Sequence, residues 1–155
     1  YIIAIVVITI LMVFLIGRLR IGLLSMIPNI TPIVIMLGIM GILSFPMDVF
    51  AMMVGSIAIG LAVDDTIHFM HNFRRYYERD HDPVKAVYET LHTTGRAMLV
   101  TTIVLSLGFF VFMFATMSNL INFGLLTGFT IIMALVSDYL IAPALMVVVN
   151  KPKVV

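Results

Sequence analysis

Five stretches of this chain, at about residues 1–16, 26–44, 48–69, 97–117 and 120–149, are apolar almost without interruption. Each approaches the ~20 residues that an α-helix needs to cross ~30 Å of hydrocarbon at 1.5 Å per residue. Of the 155 residues, 62% are hydrophobic and 11% charged, whereas a soluble domain runs nearer half apolar and a quarter charged. A water-soluble core cannot hide that much apolar surface. The chain is therefore expected to be an all-α membrane protein, a bundle of five transmembrane helices with membrane lipids as its first partners. It opens at Tyr1 inside an apolar run, with neither an initiator Met nor the basic leader of a signal peptide. That is expected of the middle of a longer protein. The net charge of +1 gives no reason to expect nucleic acid as a partner, and the lack of cysteine rules out disulfides and thiolate metal sites.

The connections set the orientation. Segment 17–25 carries Arg18 and Arg20, and the insert 71–96 carries Arg74, Arg75, Arg79, Lys85 and Arg96. The tail carries Lys151 and Lys153. These three share one side and hold all nine Lys and Arg. The short turns Phe45-Pro46-Met47-Asp48 and Met117-Ser118-Asn119, on the other side, hold none. By the positive-inside rule, the basic side and the C-terminus are cytoplasmic and Tyr1 starts outside.

Within the insert, Asp82-Pro83 offers an N-cap followed by proline at the first helical position. Val84, Val87, Tyr88 and Leu91 recur at helical spacing, with Gly95 as a stop. This predicts a short amphipathic helix over about 83–94 at the cytoplasmic interface. It would either couple the third and fourth spans mechanically or serve as a solubilising connector.

Three acids lie where acids are expensive: Asp64 and Asp65 in the third span and Asp138 in the fifth. Each costs about 2.5–3.5 kcal/mol at a helix centre, so such residues face a bundle interior and usually serve ions or substrate. Counting at 1.5 Å per residue, Asp64 lies about 24 Å below the outer turn at Asp48 and Asp138 about 27 Å below Leu120. Thr101 lies about 22 Å below the outer face, so Thr101 and Thr102 share that layer. Adjacent carboxylates in a nearly dry setting do not both stay ionised, so they can load and release protons. Protonation removes a buried charge and changes which helix packing is cheapest. The alternative is that the acids pair with a basic residue outside this chain, and Asp138 is open to a second role as a structural cap near the cytoplasmic end. His68 and His71 continue from Asp64 at i+4 and i+7, suited to interfacial hydrogen bonding or to a proton exit route. One helical face supplies only part of a metal shell, so no metal site is expected. Ser56 and Gly60 precede Asp64 at four-residue steps, and Gly124 with Gly128 forms a GxxxG pair. Both spacings permit close helix packing.

The run Gly60-Leu61-Ala62-Val63-Asp64-Asp65-Thr66-Ile67-His68 resembles the GxxxDD element of the resistance–nodulation–division (RND) transporter superfamily. Gly95-Arg96-Ala97, Thr101-Thr102, Gly108-Phe109, Phe123-Gly124, Asp138 and Pro143-Ala144-Leu145 resemble that family's last two helices. The nearest branches are the MMPL-type and hydrophobe exporters, related to the sterol-sensing domains of Patched-like proteins. The resemblance covers nearly the whole chain and implies two similar six-helix halves, each with a large extracytoplasmic domain after its first helix. This chain would be the last five helices of one half, with wording closer to the second. Asp64 and Asp65 match the family's proton-carrying carboxylates. The resemblance further implies a secondary active transporter of the cell inner membrane rather than an enzyme, exporting hydrophobic or lipid-like molecules as protons enter. Protons are then the coupling ion, with no other cofactor. The partners would be the missing half, a hydrophobic substrate and, optionally, further copies of the protein. A lipid- or sterol-sensing module without proton coupling is the rival reading. An intramembrane aspartyl protease fits poorly, because Ala62 stands two before Asp64 and Tyr139 follows Asp138 instead of preceding it.

Overall fold

A computed structural model of the chain describes residues 2–17, 19–45 and 47–150. The expectations for Tyr1, Arg18, Pro46, Lys151 and Lys153 lie outside the described residues. Among the described residues there is no strand. The helices are α1 (Ile2–Ile16), α2 (Leu19–Leu24), α3 (Met26–Ile42), α4 (Val49–Asp80), α5 (Pro83–Thr90), α6 (Arg96–Phe110) and α7 (Ser118–Val149). A π-helical turn, Leu91–Gly95, joins α5 to α6, and a 3-10 turn, Val111–Phe114, ends α6.

Four helical runs are long and apolar enough to cross a membrane: Leu19–Ile42, Val49–Asp80, Pro83–Phe114 and Ser118–Val149. The apolar α1 is shorter. Large apolar side chains stand exposed on the outward faces, Ile3, Phe14 and Phe114 among them. In water such a surface would be a liability; in lipid it is the expected exterior. The chain is a multi-pass membrane protein.

Local chemistry explains the breaks. Pro28 has no N–H for the carbonyl of Leu24, so the helix is interrupted at Ser25, whose hydroxyl donates back to the Gly22 carbonyl at 2.7 Å. Asp48 caps α4, its carboxylate accepting from the Ala51 N–H at 2.8 Å. Ser44, just before, takes a left-handed φ of 53° that turns the chain. At 32 residues, α4 is about 48 Å long and outruns the hydrocarbon, which leaves Arg74, Arg75 and Arg79 beyond it. His81 ends it with a left-handed φ of 54°.

The amphipathic segment differs from its sequence pattern. Asp82 caps α5 as expected, accepting from Val84 N–H at 2.9 Å and Lys85 N–H at 3.2 Å. Gly95 does not stop the helix, because the π turn carries it straight into α6. A Cβ at Gly95 would meet the Tyr139 hydroxyl at 2.8 Å, so glycine serves close approach to α7 there. The expected apolar stripe is also split. Val87 and Leu91 pack on the core, while Val84 and Tyr88 point outward and Ala86 and Thr90 are buried in their place.

The interior is layered. One apolar cluster joins Met36 and Met40 of α3, Ala51 and Val54 of α4, and Phe123 and Leu126 of α7. The other, at the arginine-rich end, joins Ile21, Phe69, Phe73, Ala86, Met98, Ala142 and Met146. Between them lies a belt of buried polar side chains: Asn29, Thr66, Ser137 and Asp138. At the centre, α7 packs on α3, α4, α5 and α6, and α4 packs on α1, α3, α5 and α7.

Candidate functional site

On α4, four-residue steps carry a polar file along one face: Asp64, His68, Asn72 and Tyr76. With Asp65, this file forms one wall of a cavity of about 480 Å³ between α4, α6 and α7. The opposite wall holds Thr93, Thr94, Thr101 and Thr102, and Ile131 and Ala134 of α7 close the back. Asp64, Asp65, His68, Thr101 and Thr102 therefore meet in one space. The file beyond His68 was legible in the sequence, since Asn72 and Tyr76 simply extend the spacing that starts at Ser56.

The two adjacent acids are not equivalent. Asp64 is 70% exposed and its carboxylate lies 3.7 Å from His68 Nε2. Asp65 is half-buried. Thr102 is buried, whereas Thr101 is exposed and donates to its own helix, at 2.9 Å from the Met98 carbonyl. Such backbone bonding by threonine leaves the hydroxyl's lone pairs free to accept.

Asp138 is not in this cavity. It is 1% exposed and stands between helices in the polar belt instead of capping a cytoplasmic end. Its Oδ1 lies 2.9 Å from Thr66 Oγ1, which lies 2.7 Å from Asn29 Oδ1. Asp138 Oδ2 has no hydrogen-bond partner among the described residues. Beside this trio, Ser137 donates to the Pro28 carbonyl at 2.9 Å. That carbonyl lacks its helical donor because residue 32 is proline. Asn29 and Thr66 were missed at the level of sequence. A lone asparagine between two prolines in an apolar span was the available signal.

Two expectations are corrected. His71, although close to Asp64 around the helix, does not line the Asp64 cavity; it lines a second one, of about 600 Å³, with Ile16, Ile21, Phe73, Arg74 and Met146. Seven residues turn a helix by 700°, which is 20° short of two full turns, but the wall at His71 belongs to the side facing α1 and α7. Ser56 and Gly60 do not pack against a neighbour among the described residues. Both are exposed, and a Cβ at Gly60 would meet nothing within 4 Å. The packed small face of α4 is Ala51, Gly55, Ala58 and Ala62, on the other side of the helix. Gly124 and Gly128 do serve close approach: added Cβ atoms would sit 2.5 Å from the Phe109 carbonyl oxygen and 2.5 Å from the Phe110 ring. Among the described residues no three His, Asp or Glu side chains are grouped to hold a metal ion.

Comparison with known proteins adds a family. The model of the MMPL family matches residues 1–153. A candidate membrane protein of Methanocaldococcus jannaschii is 29% identical over 114 residues, covering 74% of this chain and 29% of that protein. The matched segment is thus under a third of that relative's length. No solved structure matches the chain.

Proposed function

The chain belongs to the MMPL family, and from that premise we propose that it is the proton-handling transmembrane segment of a carrier that exports hydrophobic or lipid-like molecules from the cell, driven by proton influx. One observation carries this reading: Asp64 and Asp65 sit side by side on a cavity within a membrane-spanning helix, with His68 and two threonine hydroxyls around the same space. A proton crossing the membrane contributes about 2.3 kcal/mol per 100 mV, enough to bias a helix rearrangement of a few kcal/mol when it binds such a pair. The file Asp64, His68, Asn72 and Tyr76 offers polar groups from the pair towards the arginine-rich end, which is cytoplasmic on the positive-inside argument. The inner membrane is the expected location.

The exposed stripe Ser56, Gly60, Asp64 and His68 needs a cover, because a carboxylate facing hydrocarbon is costly. The other half of the same carrier is the proposed cover, and a homo-oligomer would serve the same end. The rival reading, lipid sensing without proton coupling, finds support in the second cavity, which is walled largely by Leu15, Ile16, Ile21, Ile67, Met70 and Phe73.

The deciding experiment uses the full-length protein in liposomes with an imposed pH gradient. Asp64→Asn or Asp65→Asn is expected to abolish proton-driven export while membrane insertion stays intact. Export at the wild-type rate in either variant would reject the role given to that carboxylate. Unchanged binding of a lipid probe together with no dependence on the gradient in the unmodified protein would favour the sensing module.

A further inference from the structure

The polar belt contains a hydrogen-bonding conflict that a proton on Asp138 or a turn of the Asn29 amide resolves. Thr66 has one hydroxyl hydrogen, yet its oxygen lies within hydrogen-bonding reach of two oxygens, Asn29 Oδ1 at 2.7 Å and Asp138 Oδ1 at 2.9 Å. It can donate to one of them alone. If it donates to Asn29, then Asp138 must carry a proton and donate to Thr66. If it donates to an ionised Asp138, the Asn29 amide must turn over and present Nδ2 to Thr66.

The two arrangements are not equally satisfied. As the side chains stand, Asn29 Nδ2 faces the Met26 sulfur, a weak acceptor, at 4.0 Å. Turning the amide would aim its oxygen at that sulfur, where no donor waits. Ionisation would also leave a charge on a carboxylate whose Oδ2 has no partner, at a site where all three side chains are 1% exposed or less. A buried, unpaired charge is among the most costly things a fold can hold. The contacts as they stand suit the protonated carboxyl better than the ionised one.

We propose that Asn29 and Thr66 are positioning residues that read the proton on Asp138: while the carboxyl is protonated, the hydrogen bonds that tie α3 to α4 and α7 run from Asp138 to Thr66 to Asn29, and loss of that proton reverses the Thr66 hydroxyl and turns the Asn29 amide, so the tie runs the other way. The proton leaves Asp138 as H⁺, and no covalent bond other than its O–H breaks. α3 is well placed to respond, since Pro28 and Pro32 flank Asn29 and weaken the helix there. Its second tie to α7, Ser137 to the Pro28 carbonyl, is immediately adjacent.

The groups around Asp138 are few. α3 has no titratable side chain. α4 presents Asp65, and α7 itself contributes Tyr139. α6 contributes Arg96, exposed at its first residue, and α5 contributes Lys85 and Tyr88, both exposed, and half-buried Glu89. Asp65, one residue before Thr66, is the acidic neighbour of the lock on α4. This proposal rests on the reading of the chain as part of a proton-driven carrier.

The test is infrared difference spectroscopy of the full-length protein in liposomes as pH is stepped. The carboxyl band is assigned by its loss in Asp138→Asn and the amide band, with ¹³C-labelled asparagine, by its loss in Asn29→Leu. The two bands are expected to change with one shared midpoint in the unmodified protein. Thr66→Val should shift the carboxyl band and silence the amide response, and Thr66→Ser should restore both. An amide band that stays still while Asp138 titrates would overturn the proposal, as would an Asp138 that never changes protonation. Thr66→Val spectra identical to the unmodified protein would also overturn it. The carrier reading is judged separately, by export in Asp64→Asn and Asp65→Asn, so either idea can fail while the other stands.

Discussion

Pro32 brings no N–H to the carbonyl of Pro28, and Ser137 brings a hydroxyl from another helix in its place. Ser137→Ala should therefore leave a buried carbonyl without a donor, at a cost of about 1–3 kcal/mol. The same substitution in a Pro32→Ala background should cost far less, because an alanine at that position restores the helical N–H. Thermal unfolding of the four proteins in detergent, read as a double-mutant cycle, checks this; equal costs in both backgrounds would contradict it. Gly124 makes a second case. Its added Cβ would press on the backbone oxygen of Phe109, which cannot swing aside as a side chain can. Gly124→Ala is expected to destabilise by about 1–3 kcal/mol, seen as a lowered midpoint in the same assay.

Among the elements, α4 shows how far a pattern can be read and where it misleads. The spacing of its polar file follows from one rotation per residue, but the helix runs beyond the expected 48–69 to Asp80, and the sequence shows small residues on both sides. Ser56 and Gly60 step towards Asp64, while Gly55, Ala58 and Ala62 step towards Thr66, and only the packing of α3 and α7 selects the second set as the interior. The stripe of α5 was misread for a similar reason. Val84 and Tyr88 are as apolar as Val87 and Leu91, yet the direct run through the π turn into α6 fixes which side meets the core. The cap on α5 is a local matter and was legible as Asp82-Pro83. Asp82→Ala removes the acceptor for two backbone N–H groups and should cost about 1 kcal/mol of helix stability. Hydrogen exchange over 83–90 is expected to quicken several-fold, with little change in α7.

At the scale of the molecule, Arg20, Arg74, Arg75, Arg79, Lys85 and Arg96 lie on the connections of one end, while the break after α3 and the non-helical residues 115–117 close the other; Ser118 and Asn119, expected in a turn, already belong to α7. Cysteine introduced by Arg79→Cys should react with a membrane-impermeant label only from the cytoplasm, and Asn119→Cys only from outside. Labelling of both from one side would break the arrangement. The open stripe gives a further expectation. Gly60→Leu adds bulk where this chain alone has space, so, on the proposed carrier reading, loss of export with normal folding would place a further part of the protein against that face. Export at the unmodified rate would leave that face without an assigned partner.

The sequence by itself determined the solvent, the helical class and the spacing of polar groups along α4, and it carries the expectation that the cations share one side. These follow from apolar run length, 3.6-residue periodicity and charge placement, all of which act within one segment or between a segment and the bilayer. Tertiary structure alone decided which carboxylates share a space. Asp64 and Asp65 open onto the threonines of α6, whereas Asp138, at a similar estimated depth, turns away to meet Thr66 and Asn29. Depth counts residues along one axis, but a meeting of side chains depends on how each helix is rotated about its own, and that rotation is set only when neighbouring helices pack.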